Sequence, residues 1–279
     1  MNIGIIGLGF VGSAIKKSFD LKKIKTFVYD KYKNGGIGNI ENILDTNILF
    51  LCLPTLFNKL TTKYDKTSIR EISEYLKINN YNGIIILKST VEPETTEKLS
   101  QRYNLKYIHN PEFLSAKTAF IDFHNQKHIV LGSTTNCNNI DIKTVTDFYD
   151  KYYSNSNISL CSSLESESMK IFCNSFYASK IQIFNEYYLL CKKNGANYNK
   201  IKTLMLKNGW INRMHTDVPG SDGKLSYGGA CFQKDTNALK SYMEKNNTLN
   251  NVLSSVIKER NLLREEINKL KNRENSLNL

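Results

Sequence analysis

The run Gly7-Leu8-Gly9-Phe10-Val11-Gly12 constrains this chain more than any other, because of what flanks it. An apolar, strand-like stretch, Asn2-Ile3-Gly4-Ile5-Ile6, leads straight into it, and residues 13–19 read as a helix. Strand, glycine turn and helix in that order form the phosphate-binding corner of a βαβ unit. Gly7 permits the tight turn, Gly9 lets a pyrophosphate approach the backbone, and Gly12 lets helix pack on strand. Phe10 and Val11 lie between them, where the helix N-terminus faces the phosphate charge. Asp30 closes the next strand, Lys25-Thr26-Phe27-Val28-Tyr29-Asp30, at about the distance of the acid that binds an adenosine ribose. An acid there favours NAD, since it repels a 2′-phosphate, although Lys31 and Lys33 soften that preference.

The first half of the chain keeps this rhythm. Residues 2–6, 25–29, 47–53, 83–87, 106–109 and 128–131 read as strands alternating with helix-like stretches, which implies a Rossmann-type, doubly wound, mostly parallel sheet over residues 1–161. Such sheets bind ligands beyond the carboxyl ends of their strands. Pro54 and Thr55 after the third strand, and Ser89 and Thr90 after the fourth, fall there, and ordinary turn chemistry explains each equally well when taken alone. Ser162-Ser163-Leu164-Glu165 has capping-box chemistry and opens a helical pattern running to about Lys193, the start of an all-helical domain over residues 162–279. Asn194-Gly195 stops that helix, Tyr198–Lys207 reads as another, and residues 208–229 form a polar, glycine-containing loop. Helices resume near Cys231. The tail carries Val252, Val256, Leu262, Leu263, Ile267 and Leu270 at helical spacing and ends in the polar residues 271–279.

Lysine and arginine outnumber aspartate and glutamate by 38 to 26, a net charge of +12 that attracts anionic partners. The basic residues are spread without any nucleic-acid-binding pattern, so a nucleotide-type ligand fits better than nucleic acid. Six cysteines occur without a CxxC pair or Cys/His cluster, indicating neither a metal site nor a disulfide framework. The longest apolar runs are too short for a bilayer and no secretory signal opens the chain, so a cytoplasmic protein without membrane contact is expected.

Three segments carry chemistry. Glu112, in Asn110-Pro111-Glu112-Phe113-Leu114, follows the fifth strand. Lys170 and Asn174 are spaced i, i+4 in the long helix, with Glu167 one turn earlier; they face either a cleft or solvent. Tyr227-Gly228-Gly229-Ala230-Cys231-Phe232-Gln233-Lys234-Asp235 places Cys231 at a helix start after two glycines, where the helix dipole stabilises a thiolate. A small residue after a glycine loop is the alternative for Cys231.

Taken in order, these segments together with Ser89-Thr90-Val91 and Asn185-Glu186 resemble the UDP-glucose/GDP-mannose dehydrogenase family over about residues 1–265. The resemblance implies a four-electron oxidation of a nucleotide sugar's primary alcohol to a carboxylate with two NAD. Cys231 is then the nucleophile that captures the aldehyde and carries a thioester. Lys170 and Asn174 stabilise the oxyanion, Asp235 and Thr90 hold the water, and Glu112 assists proton transfer. The cofactor set implied is Gly7, Gly9, Phe10, Val11, Gly12, Asp30, Pro54, Thr55, Thr90 and Lys234. Substrate falls to Glu112, Phe113, Leu114, Lys170, Asn174, Gly228 and Gly229, with the loop from His215 to Gly223. A homodimer through the long helix is also implied.

Three departures stand out. Ala116 replaces a second glutamate, His128 replaces an arginine, and the sequence stops at Leu279 where the family continues into a nucleotide-binding α/β domain. Two other readings remain open: a two-electron β-hydroxyacid dehydrogenase that needs no cysteine, and a non-catalytic NAD-binding remnant that acts as an interaction partner.

Overall fold

The computed structural model describes the backbone of residues 1–277 and the side chains of residues 1–229 and 231–264. The chain divides into two compact units, Met1–Asn58 with Tyr64–Lys170, and Lys59–Lys63 with Ile171–Leu279.

The first unit is a seven-stranded sheet. Its strands are β1 (Ile3–Ile6), β2 (Thr26–Tyr29), β3 (Ile48–Leu51), β6 (Ile84–Leu87), β7 (Lys106–His109), β8 (His128–Ser133) and β9 (Asn157–Ser162), ordered β2-β1-β3-β6-β7-β8-β9. Two-residue strands β4 (Phe57–Asn58) and β5 (Lys63–Tyr64) lie outside it. All pairings in the sheet are parallel except β7 with β8. Successive side chains on a strand point to opposite faces, and here both faces are covered. Ile3, Ile5, Ile48, Phe50, Ile84 and Ile86 pack with α1 (Phe10–Leu21), α4 (Ala119–His124) and α5 (Asn139–Tyr152). Ile6, Leu49, Leu51, Ile85, Leu87 and Tyr107 pack with α2 (Thr67–Ile78) and α3 (Thr95–Tyr103). Burial on both faces is why these strands read as continuous apolar runs.

Some elements differ from the sequence expectation. Helix α1 starts at Phe10, three residues early, because Gly9 is its N-cap. Strand β9 was not foreseen: its pattern is largely exposed, and it joins the sheet at an edge by pairing with β8.

Helix α6 (Ser163–Asn194) follows β9 directly. Its start is fixed by the expected reciprocal cap. The Ser162 amide donates to Glu165 Oε2 at 2.8 Å, and the Glu165 amide donates to Ser162 Oγ at 3.3 Å. The second unit continues with α7 (Tyr198–Lys207), α8 (Ala230–Lys245) and α9 (Asn251–Leu277). Phe184, Cys191, Tyr198 and Val218 form one core, and Ala178, Tyr227 and Val256 another. In α9, Ile267 and Leu270 of the expected apolar stripe lie outside the described side chains, as residues 278 and 279 lie outside the described backbone.

Candidate functional site

In the first unit, the glycine turn is shaped by contact between backbones. Gly7 has φ +87°, and a Cβ there would stand 2.5 Å from the Cys52 carbonyl oxygen. A Cβ on Gly12 would stand 1.8 Å from the Gly7 carbonyl oxygen, which fixes how closely α1 approaches β1. Nothing lies within 4 Å of the corresponding point on Gly9. Helix α1 has no side-chain cap and no acidic residue in its first turn, so its leading amides remain available to an anion.

Asp30 is locked beside this turn. Its Oδ2 accepts from the Leu8 amide at 2.7 Å, and its Oδ1 accepts from the amides of Tyr32 and Lys33 at 3.0 and 2.9 Å. Burial raises its pKa, but the Leu8, Lys33 and Tyr32 amides and the Lys33 cation outweigh burial and hold it below the usual range. Lys33 donates to the Leu8 carbonyl at 2.6 Å and to Ser13 Oγ at 2.9 Å, placing a cation at the mouth of the turn. A cavity of about 650 Å³ opens here, lined by Leu8, Gly9, Phe10, Ser13, Lys17, Asp30, Lys33, Ala116, Lys117 and Phe120 among others. The open Gly9 cradle, the uncapped helix and the fixed carboxylate are features that fit a dinucleotide. Ala116, the departure noted in the sequence, lines this cavity.

The carboxyl edge of the sheet gathers several further expected residues. Thr55 Oγ1 donates to the Thr90 carbonyl at 2.7 Å, and Ser89 Oγ donates to the Leu53 carbonyl at 2.6 Å, so the segments after β3 and β6 are tied together. Pro54 is exposed between them. Lys170, buried on α6, donates to the Glu112 carbonyl and stands 3.6 Å from Glu112 Oε1. Its ammonium also lies 5.0 Å from the centre of the half-exposed Phe113 ring. Glu112 Oε2 accepts from the Leu114 amide at 2.8 Å. Lys170 therefore does not sit on a solvated helix face.

Sequence reasoning missed Lys88, which is buried beneath this edge. It donates to Asn110 Oδ1 at 2.8 Å, and Tyr149 donates to the same oxygen at 2.6 Å. Burial brings the Lys88 pKa down to about 8. A lysine ending the apolar run Ile84-Ile85-Ile86-Leu87 is the signal that could have found it.

In the second unit, Asp235 is fully buried. Its Oδ2 accepts from Asn174 Nδ2 at 2.5 Å, and its Oδ1 accepts from Lys234 Nζ at 2.6 Å. Asn174, Lys234 and Asp235 therefore form one cluster between α6 and α8. Gly229, with φ +73°, is the N-cap of α8, which has neither a side-chain cap nor an acid in its first turn. Cys231, the second residue of α8, is exposed. The preceding loop is held from α9 and α6. Arg264 donates to Asp222 Oδ2 at 2.8 Å and to the Ser226 carbonyl at 2.7 Å. Asn185 and Gln182 accept from Ser226 at 2.8 and 2.6 Å. His215 packs its ring against Tyr177 and Phe232. Arg264 and Gln182 were not singled out in the sequence, where both read as ordinary polar helix residues. Among the described residues no group of three or more His, Cys, Asp or Glu is placed to hold a metal ion, and no helix is long and apolar enough to cross a membrane.

Two family models match the chain: UDP-glucose/GDP-mannose dehydrogenase family, NAD binding domain, over residues 38–153, and the same family's central domain over residues 164–261. UDP-glucose 6-dehydrogenase of Campylobacter jejuni is 26% identical over 272 residues, covering 86% of this chain and 67% of that protein. A UDP-glucose dehydrogenase structure from Pyrobaculum islandicum matches with a TM-score of 0.83 at 22% identity, over 98% of this chain and 71% of that one. The structure of 3-hydroxyisobutyrate dehydrogenase from Mycobacterium tuberculosis shares the fold with a TM-score of 0.69 at 12% identity, over 92% of this chain and 91% of that one. Of several curated relatives, the chain spans from 30% to 67% of their own length.

Proposed function

This chain belongs to the UDP-glucose/GDP-mannose dehydrogenase family, and from that premise we propose that it oxidises the primary alcohol of a nucleotide sugar of the UDP-glucose type to the carboxylate through a thioester on Cys231. The observation that carries this reading is Cys231 in the uncapped first turn of α8, on the helix that also carries the buried Asp235 bonded to Asn174.

When bound, NAD supplies the hydride acceptor, once for each of two oxidations. The residues of the chain account for the rest. In the first oxidation, a water held by Asp235 and Thr90 takes the hydroxyl proton and leaves an aldehyde. Cys231 Sγ, its thiolate favoured by the α8 amides, forms a bond to the aldehyde carbon, and the oxygen gains a proton. Loss of that proton and the second hydride leaves a thioester. Water then adds to its carbonyl carbon, the C–S bond breaks, and the carboxylate departs while Cys231 recovers its proton. Lys170 and Asn174 supply positive charge and a donor to the oxygen whenever it becomes anionic. Glu112 relays protons, with Phe113, Leu114, Gly228 and Gly229 against the sugar and Lys234 toward the cofactor. Residues 1–161 serve as the cofactor domain and 162–279 as the helical domain in this reading.

We further propose a homodimer through α6, which exposes Phe172, Phe176, Ile183 and Leu190 at helical spacing.

A screen of UDP- and GDP-sugars for NADH release tests the reaction. Two NADH per acid formed is the expected result, together with an acyl adduct on Cys231 in mass spectrometry. One NADH per carbonyl product would replace this reading with the two-electron β-hydroxyacid one. No turnover with any alcohol would leave an NAD-binding interaction partner.

A further inference from the structure

Glu167 opens the Glu-x-x-Lys-x-x-x-Asn pattern, yet no step above uses it. Its side chain is wholly buried, a costly environment for a carboxylate unless its bonds serve a purpose there. Oε1 accepts two hydrogen bonds from one residue, the Thr96 amide at 2.7 Å and the Thr96 hydroxyl at 2.6 Å. Thr96 is the second residue of α3, so a carboxyl group from 71 residues further along the chain caps that helix. The N-cap residue of α3, Glu94, makes no side-chain cap bond and sits at φ +75°.

The segment joining β6 to α3, residues 88–94, carries Thr90. Its near end is fixed by the sheet, where the Lys88 amide donates to the Leu51 carbonyl at 3.0 Å. Its middle is fixed by Thr55 and by the bond from Ser89 to Leu53. Its far end is fixed by Glu167. The neighbours of Glu167 on α6 grip the other edge segment. Ser166 Oγ bonds His109 Nδ1 at 2.8 Å, and Lys170 bonds the Glu112 carbonyl. The first two turns of α6 thus hold both segments that leave the carboxyl ends of β6 and β7.

We propose that Glu167 is a positioning residue: by capping α3 it sets Thr90 in fixed register with Lys170 and Glu112, and it touches neither substrate nor cofactor. The proposal rests on the roles given above to Thr90 and Lys170. The purely structural alternative is a carboxyl group that stabilises α3 without bearing on Thr90.

Three variants separate the two. Glu167→Gln keeps an oxygen for both Thr96 bonds, Glu167→Met removes it, and Thr96→Val removes the hydroxyl. Each is measured by hydrogen exchange of residues 88–96 in the protein without ligand, and by kcat and KM with the nucleotide sugar that the screen identifies. Glu167→Met is expected to speed exchange in that segment by about tenfold or more while the central strands keep their protection. It should lower kcat by about 100-fold, the cost of a misplaced reacting group, and raise KM for NAD by a smaller factor, because Thr90 also belongs to the implied cofactor set. Glu167→Gln should restore both, and Thr96→Val should fall between. Wild-type exchange in residues 88–96 of Glu167→Met, or a lowered melting temperature with kcat of the folded protein intact, overturns the proposal. Should Glu167→Met fail to fold, Thr96→Val decides: unaltered exchange and kcat overturn it equally. A wild-type protein that turns over no nucleotide sugar removes the function proposed above. In that event the exchange measurement alone decides whether Glu167 holds the Thr90 segment.

Discussion

Helices α1 and α8 both begin on a glycine, Gly9 and Gly229, with no side-chain cap and no acidic residue in the first turn. Each leaves its leading amides for an incoming group. Their supports are of different kinds. Around α1, the atoms that forbid a side chain are main-chain oxygens, of Cys52 against Gly7 and of Gly7 against Gly12. Before α8, a Cβ on Gly228 would meet the ends of two side chains, Asp222 Oδ2 at 2.8 Å and Arg264 Nη2 at 2.9 Å. A backbone joined to a buried sheet cannot give way, whereas an aspartate–arginine pair can. The cofactor corner is therefore rigid by construction, and the cysteine corner is held by parts that can adjust.

The contrast is most exposed at Gly12. Gly12→Ala drives a Cβ into a backbone oxygen, and overpacking at such a point costs about 3 kcal/mol or more. Loss of NAD binding in titration calorimetry, or loss of the folded state in thermal melts, is expected; wild-type affinity would end the claim of rigidity. Cys231→Ala comes next. It should abolish acid formation, by at least roughly 10³-fold in kcat, and leave NAD affinity unchanged. A parallel loss of NAD binding would mean that the two corners are not independent. Gly228→Ala should do less. The Asp222 and Arg264 side chains swing aside, and KM for the nucleotide sugar rises by about tenfold or less with folding retained. Damage equal to that of Gly12→Ala would break the comparison.

The smallest effect is on pH. Burial, opposed by Thr96 and Glu94 and reinforced by the nearby Glu92, pushes the Glu167 pKa up to about 7 from 4.5. A group whose folded pKa is raised favours folding fully below its unfolded pKa and loses that contribution as pH rises through its folded value. The melting temperature should therefore fall between about pH 4.5 and 7, with a shallower slope in Glu167→Gln. Identical slopes would show that Glu167 does not titrate in that window.

What could be read from the sequence follows the range of the forces involved. The first six strands of the sheet, the capping box at Ser162 and the helix Tyr198–Lys207 were legible because each is written in neighbouring residues. So was the pairing of the glycine turn with Asp30, which depends on one fixed spacing within a βαβ unit. Strand β9 escaped because an edge strand pairs through its backbone, and most of its side chains are exposed. The start of α1 escaped because Phe10 is exposed there and adds nothing to an apolar pattern. Buried Lys88 and Glu167 were illegible for a deeper reason. A charged side chain reads as surface until its partners are known, and those partners, Asn110 and Thr96, stand 22 and 71 residues away.

The junction between β9 and α6 has a consequence of its own. Ser162 ends the strand and Ser163 begins the helix, with no loop between them. The sheet thereby dictates the phase of the helix. Each residue of an α-helix turns about 100° around the axis, so a single residue inserted at this joint would rotate Ser166, Glu167 and Lys170 together away from His109, Thr96 and Glu112. Three contacts scattered along the sequence would fail as one, from a change that touches none of them. In this protein the joint between strand and helix acts as a keyway, and its length in residues is as much a part of the site as any side chain.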